Sequence, residues 1–119
     1  MSDWLRETLA TLEVGEELAH AVCLTVIEAA TNIVSYAFAP DSAHVVDIRL
    51  EAAPELLTVV IVDDGFAFDP LATAPPTPAA DLASAAIGGL GITLMRQFST
   101  SIGYRRKDGR NRLAMTYAR

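Results

Sequence analysis

Residues 56–70, LLTVVIVDDGFAFDP, pass from an apolar stretch into two aspartates and a glycine. Leu56 to Val62 is apolar on both faces and rich in β-branched side chains, so it predicts a central strand. Asp63-Asp64-Gly65 ends it, and two readings compete there. Asp-Asp-Gly is good turn chemistry after a strand. It also offers an acceptor carboxylate at the end of a buried strand, where ligands of open sheets commonly sit. Asp63 can accept a hydrogen bond from an exocyclic amine, and Gly65 lets a flat ring lie against the backbone.

Upstream, HVVDIRLEA (residues 44–52) alternates Val46, Ile48 and Leu50 with Asp47, Arg49 and Glu51, the period-two pattern of a half-buried strand. Before it, Leu5, Leu9 and Leu12 recur at helical spacing with Ser2 or Asp3 as cap, and Gly15 separates this helix from a longer one over 16–38. Glu16 and Glu17 suit that helix's first turn, and Pro40 lies beyond its end. Downstream, the Ala/Pro-rich stretch with Pro75, Pro76 and Pro78 predicts a long loop of the functional kind. GITLMRQF (91–98) predicts a helix with Leu90, Leu94 and Phe98 on one face. Two strand-like runs follow around Asp108-Gly109, a strong hairpin signal. Helices and strands in separate blocks predict an α+β two-layer sandwich. Its sheet is four-stranded, mainly antiparallel or mixed, and about three helices cover it in one domain spanning 1–119.

The bulk numbers agree: 119 residues, 51% of them hydrophobic, make one domain with a real core. Nine Lys plus Arg against 15 Asp plus Glu leave a net charge of -6, which argues against direct nucleic-acid or anionic-membrane binding and favours a protein or small-molecule partner. Cys23 is alone, so no internal disulfide forms, and one cysteine with two histidines makes no metal-ligand cluster. No apolar run reaches membrane-spanning length and the N-terminus has no export pattern, so the expected location is cytoplasmic.

Three further stretches carry chemistry. On the long helix Thr25, Glu28, Asn32 and Ser35 share one stripe, with Val22, Val26, Ala30 and Ile33 opposite. The plain reading is a solvated face. The chemical reading is a carboxylate that accepts a proton beside an amide oxygen that coordinates a hard cation. GGLGITLMRQF (88–98) puts three glycines at a helix mouth, where free backbone N–H groups and the helix dipole converge on an anion. It is neither a Walker A loop nor a dinucleotide-binding turn. Arg105, Arg106, Lys107, Arg110, Arg112 and Arg119 concentrate charge near the C-terminal hairpin, read as a solvated edge that discourages strand pairing, with a partner contact as the alternative.

In this order, EAATN, DDGFAFDP and GGLGITLMR resemble the N box and the two glycine boxes of the GHKL, or Bergerat-fold, ATPases. Within them the chain looks most like the small bacterial anti-sigma-factor serine/threonine kinases, from about residue 16 to the end. The resemblance implies ATP and Mg²⁺ as cofactors. Glu28 would be the general base, Asn32 the Mg²⁺ ligand and Asp63 the acceptor for the adenine amine. Gly65 and Ala67 would lie in the first glycine box, with Gly89, Leu90 and Gly91 at the phosphates and 71–87 as a lid. The implied partners are an anti-anti-sigma (STAS) protein, which it would phosphorylate, and a sigma factor, which it would sequester. A nucleotide-dependent binding module without phosphotransfer is the other class, and the intact Glu28 favours the kinase. Three positions depart from the pattern: Ala67 replaces the box's second glycine, Ser35 replaces a common Lys or Arg, and the first helix has no strand before it. The last departure leaves three alternatives: an exposed sheet edge, a homodimer, or a start assigned too late in the chain.

Overall fold

The computed structural model describes residues 2–38, 45–71 and 95–119. Helix α1 (Ser2–Thr11) places Asp3 in its first turn and buries Leu5 and Leu9 completely. Helix α2 (Glu16–Tyr36) starts from Gly15, whose extended backbone caps it with no side-chain hydrogen bond. Glu16 and Glu17 complement the positive end of its dipole instead. It stops two residues short of the expected Phe38, with Ala37 at its C-cap donating to the Ile33 carbonyl. The expectation that no run reaches membrane-spanning length is corrected: 16–34 has mean hydropathy 1.3 over 19 residues, enough by length and composition. Half of that stretch is buried inside the fold, as a core helix requires.

Strands β1 (Val46–Ala52), β2 (Leu56–Asp63), β3 (Ser101–Lys107) and β4 (Arg110–Ala118) form one sheet in the order β1-β2-β4-β3. All three pairings are antiparallel, so the α+β sandwich is realised with no parallel pair among them. The run apolar on both faces is an interior strand, as expected, and the alternating run is the edge strand β1. Asp108 and Gly109 take φ of 53° and 74°, the two left-handed positions of a type I′ turn, whose twist matches the strands it joins.

The core lies between the helices and one sheet face. Leu57, Val59 and Ile61 of β2 and Leu113, Met115 and Tyr117 of β4 pack with Val22, Val26 and Ile33 of α2 and with Leu5 and Leu9. Burying an aliphatic side chain of this size contributes about 1.5–3 kcal/mol, so this face holds the layers together. The helical turn at 95–98 contributes fully buried Met95, whereas Phe98, expected on the packed face, is 39% exposed. Leu90 and Leu94 lie outside the described residues.

Candidate functional site

The end of β2 turns back toward the end of α2. Phe66 N–H donates to the Ala37 carbonyl at 2.7 Å, and Tyr36 stacks on Phe68 with ring centroids 5.4 Å apart. These contacts bring the helix that carries Glu28 and Asn32 to the loop that follows Asp63. Along the helix axis Asn32 lies about 7.5 Å, and Glu28 about 13 Å, before Ala37.

Asp63 is 2% exposed, and its Oδ1 accepts from Gly65 N–H and from Asn111 Nδ2, each at 2.9 Å. The carboxylate is thereby held in one orientation, and Oδ2 has no hydrogen-bond partner among the described residues. The two readings of Asp-Asp-Gly therefore coexist, since the Gly65 bond is a turn contact and the second oxygen stays available to a donor. Gly65 answers a tight packing demand. A Cβ there would lie 2.5 Å from the Ala37 carbonyl oxygen and 2.7 Å from the Phe38 ring. A cleft of about 350 Å³, lined by Val45, Val46, Asp47, Val62, Asp64 and Arg110, abuts Asp63.

The polar stripe of α2 is not a solvated face. Thr25 and Asn32 are both buried, and Glu28 is half-buried. Thr25 Oγ1 reaches the Ala21 and Val22 carbonyls at 3.0 and 3.1 Å and meets the Tyr117 hydroxyl at 2.5 Å. Burial pushes the Tyr117 phenol up to about 12, with the Thr25 bond pulling the other way. Cys23 is buried on the same helix and burial raises its thiol too, opposed by the nearby Arg6 charge. Asn32 differs: its Nδ2 is buried with no hydrogen-bond partner among the described residues. Leaving such a donor unmade costs about 1–3 kcal/mol, so the position is held at a loss to the fold.

Asn111 was not singled out in the sequence, yet it organises the site. Its Nδ2 donates to Asp63 and to the Phe66 carbonyl at 2.7 Å, while Oδ1 accepts from Phe68 N–H at 3.2 Å and from the Tyr104 hydroxyl. The register places Asn111 directly opposite Asp63. The available signal was its phase: Asn111 alternates with Leu113, Met115 and Tyr117 on the buried face of β4, where a lone amide is out of place. Arg106 is likewise turned inward, donating to the Gly65 carbonyl at 2.8 Å. Arg119 is not part of the hairpin cluster, because it donates to the Ala53, Leu12 and Glu13 carbonyls.

Ala67 is exposed on the loop after Asp63. Asp69 closes the following turn by accepting from Leu71 N–H at 2.8 Å, and Arg96 reaches the Leu71 carbonyl at 3.3 Å. Gly89, Leu90 and Gly91, the lid segment beyond Leu71 and the Ser35 side chain lie outside the described residues.

The histidine kinase-like ATPase domain family matches residues 1–117. Serine/threonine-protein kinase BtrW of Bordetella bronchiseptica is 34% identical over 113 residues, 95% of this chain and 80% of BtrW. Among solved structures, the histidine kinase domain of the Erythrobacter litoralis EL346 blue-light activated histidine kinase superimposes with TM-score 0.60 at 22% identity. That match covers 87% of this chain and 48% of the other. A second structure of that kinase gives TM-score 0.59 at 20% identity, with 87% and 31% covered. The chain thus spans about half of one solved neighbour and a third of the other, and these likenesses show the fold alone. With the family match and the BtrW identity together, the chain belongs to the histidine kinase-like ATPases of the GHKL superfamily.

The residues present fit an adenine nucleotide. Asp63 offers an oriented acceptor with a spare oxygen, and Asn32 offers a buried amide whose nitrogen has no partner among the described residues. An amide oxygen suits a hard cation such as Mg²⁺.

Proposed function

We propose that this chain is an ATP-dependent serine/threonine-protein kinase of the anti-sigma-factor type. Its substrate is an anti-anti-sigma (STAS) partner, and it sequesters a sigma factor in the cytoplasm. The observation that carries the nucleotide reading is buried Asp63 at the end of β2, with one oxygen held by Gly65 and Asn111 and the other without a hydrogen-bond partner among the described residues. The relative named a serine/threonine-protein kinase supports transfer to a protein hydroxyl.

Bound Mg²⁺–ATP supplies the phosphoryl group and neutralises its charge. Asp63 selects adenine through Oδ2, since guanine presents no amine at the corresponding position. Asn32 holds the metal through its amide oxygen. Glu28, one turn before Asn32 and half-buried, takes the proton of the attacking hydroxyl at its carboxylate. By resemblance to the family's second glycine box, Gly89, Leu90 and Gly91 would be the residues that meet the phosphates, and Ala67 belongs to the first glycine box. The edge strand β1 is the surface through which a homodimer would form.

Calorimetry should show Mg²⁺-dependent binding of ATP and ADP and weak binding of GTP. Radiolabelled ATP should label a serine or threonine of a cognate STAS protein. Glu28→Gln should leave ATP affinity nearly unchanged and reduce transfer by roughly 10²- to 10⁴-fold, the worth of a positioned general base. Wild-type transfer by Glu28→Gln would remove the base role. Absence of adenine-nucleotide binding would remove the whole reading.

A further inference from the structure

We propose that the outer face of the sheet, at Arg105, Lys107, Arg110 and Arg112, docks an acidic surface of a partner protein, independently of the nucleotide site. The β3–β4 register sets Arg105 directly opposite Arg112 and Lys107 directly opposite Arg110. All four are exposed and share one face, because Asn111 and Leu113 between them point into the fold. Like charges opposed across strands are destabilising, and here two such pairs are adjacent. The chain's 15 carboxylates make opposite-charge pairing chemically available, yet among the described residues none is a cross-strand register partner of these cations.

The other cations nearby are used by the fold. Arg106 holds the Gly65 carbonyl and Arg49 pairs with Asp47 at 3.0 Å. By contrast, the four outer cations make no hydrogen bond or ion pair among the described residues. Protection of a sheet edge explains Arg105 and Lys107 on edge strand β3. It does not explain Arg110 and Arg112, which lie on interior strand β4.

The neighbouring positions of this face are small and flat. Gly103 opposes Ala114, open space lies where a Gly103 Cβ would be, and Val62 sits beside Arg112. A cleft of about 330 Å³ between Val62, Lys107, Asp108, Arg110 and Arg112 is open to a carboxylate side chain. The ligand chemistry is that of protein carboxylates. A polyanion as extended as DNA or a lipid surface meets the field of the whole molecule, whose net charge is -6, whereas a compact acidic patch meets chiefly the four cations within a Debye length.

The test uses the full chain, without nucleotide, against a fluorescent polyglutamate peptide short enough to contact only the four cations, duplex DNA and phosphatidylserine vesicles. Polyglutamate should bind at low salt, and more tightly than DNA or vesicles. Arg112→Glu should weaken that binding by at least about threefold, whereas Arg6→Glu, the same charge change on α1, should not. ATP affinity should be unchanged in both variants. Arg112→Glu also converts a like-charge pair into an opposite one and should raise Tm by roughly 1–5 °C. The proposal is overturned if polyglutamate does not bind, if Arg6→Glu weakens it equally, if DNA or vesicles bind more tightly, or if Arg112→Glu lowers Tm.

Discussion

Thr25 and Asn32 lie two turns apart on α2, both buried and both polar, but the fold treats them differently. At the Thr25 end every polar group is answered from within: the hydroxyl meets two carbonyls of its own helix and the Tyr117 phenol. At the Asn32 end the amide nitrogen has no partner among the described residues, while one turn and a loop away Asp63 is braced by Asn111 with one oxygen left over. A closed polar network stabilises and specifies packing. An open one in the same core costs stability, and a site that binds something is where such a cost is retained.

Breaking the bracing should have the largest effect. Asn111→Leu strands the Phe66 carbonyl, the Phe68 N–H and the Tyr104 hydroxyl, and leaves Asp63 Oδ1 with the Gly65 bond alone. Chemical denaturation should show a loss of about 3 kcal/mol, with nucleotide binding lost alongside. If stability holds, the site end is not a network. Asp63→Ala should weaken ATP binding by about 1.5–3 kcal/mol in calorimetry, the value of a charged acceptor and its stranded donor.

At the closed end the effects should be smaller and confined to stability. Tyr117→Phe should cost about 1 kcal/mol at neutral pH and leave ATP affinity untouched. The phenol's folded value, about 12, lies above its ordinary value near 10, so Tyr117 favours the folded state below pH 10. That contribution is lost as pH rises from 10 through 12, because the unfolded chain releases the proton first. Thermal melts across this range should show a decline in the parent that is reduced in Tyr117→Phe.

The smallest expected change in stability sharpens the comparison most. Asn32→Leu removes a donor that nothing satisfies, so stability should stay within about 0.5 kcal/mol of the parent or rise, whereas Mg²⁺-dependent ATP binding should fall. A stability loss as large as that of Tyr117→Phe would show that Asn32 belongs to the fold as Thr25 does.

Much of this was legible from local pattern. The doubly apolar run at 56–62 specified a central strand, the alternation at 46–51 a half-buried strand, and Asp108-Gly109 a hairpin, because side-chain period and turn chemistry are properties of neighbours in sequence. The stripe of Thr25, Glu28 and Asn32 was legible as a stripe. Whether it met water or the core was not, since burial depends on where the sheet lies.

The sequence by itself determined the element types, the glycine at 65 and the carboxylate at the end of β2. It also placed the three ordered boxes that mark the family. Only the tertiary structure decided that Asn111, 48 residues from Asp63, braces it, and that Arg106 turns in while Arg105 and Lys107 face out. It also decided that Thr25 is satisfied and Asn32 is not. These depend on strand register and helix docking, which join residues distant along the chain, and a polar side chain's role is set by whether such a partner arrives.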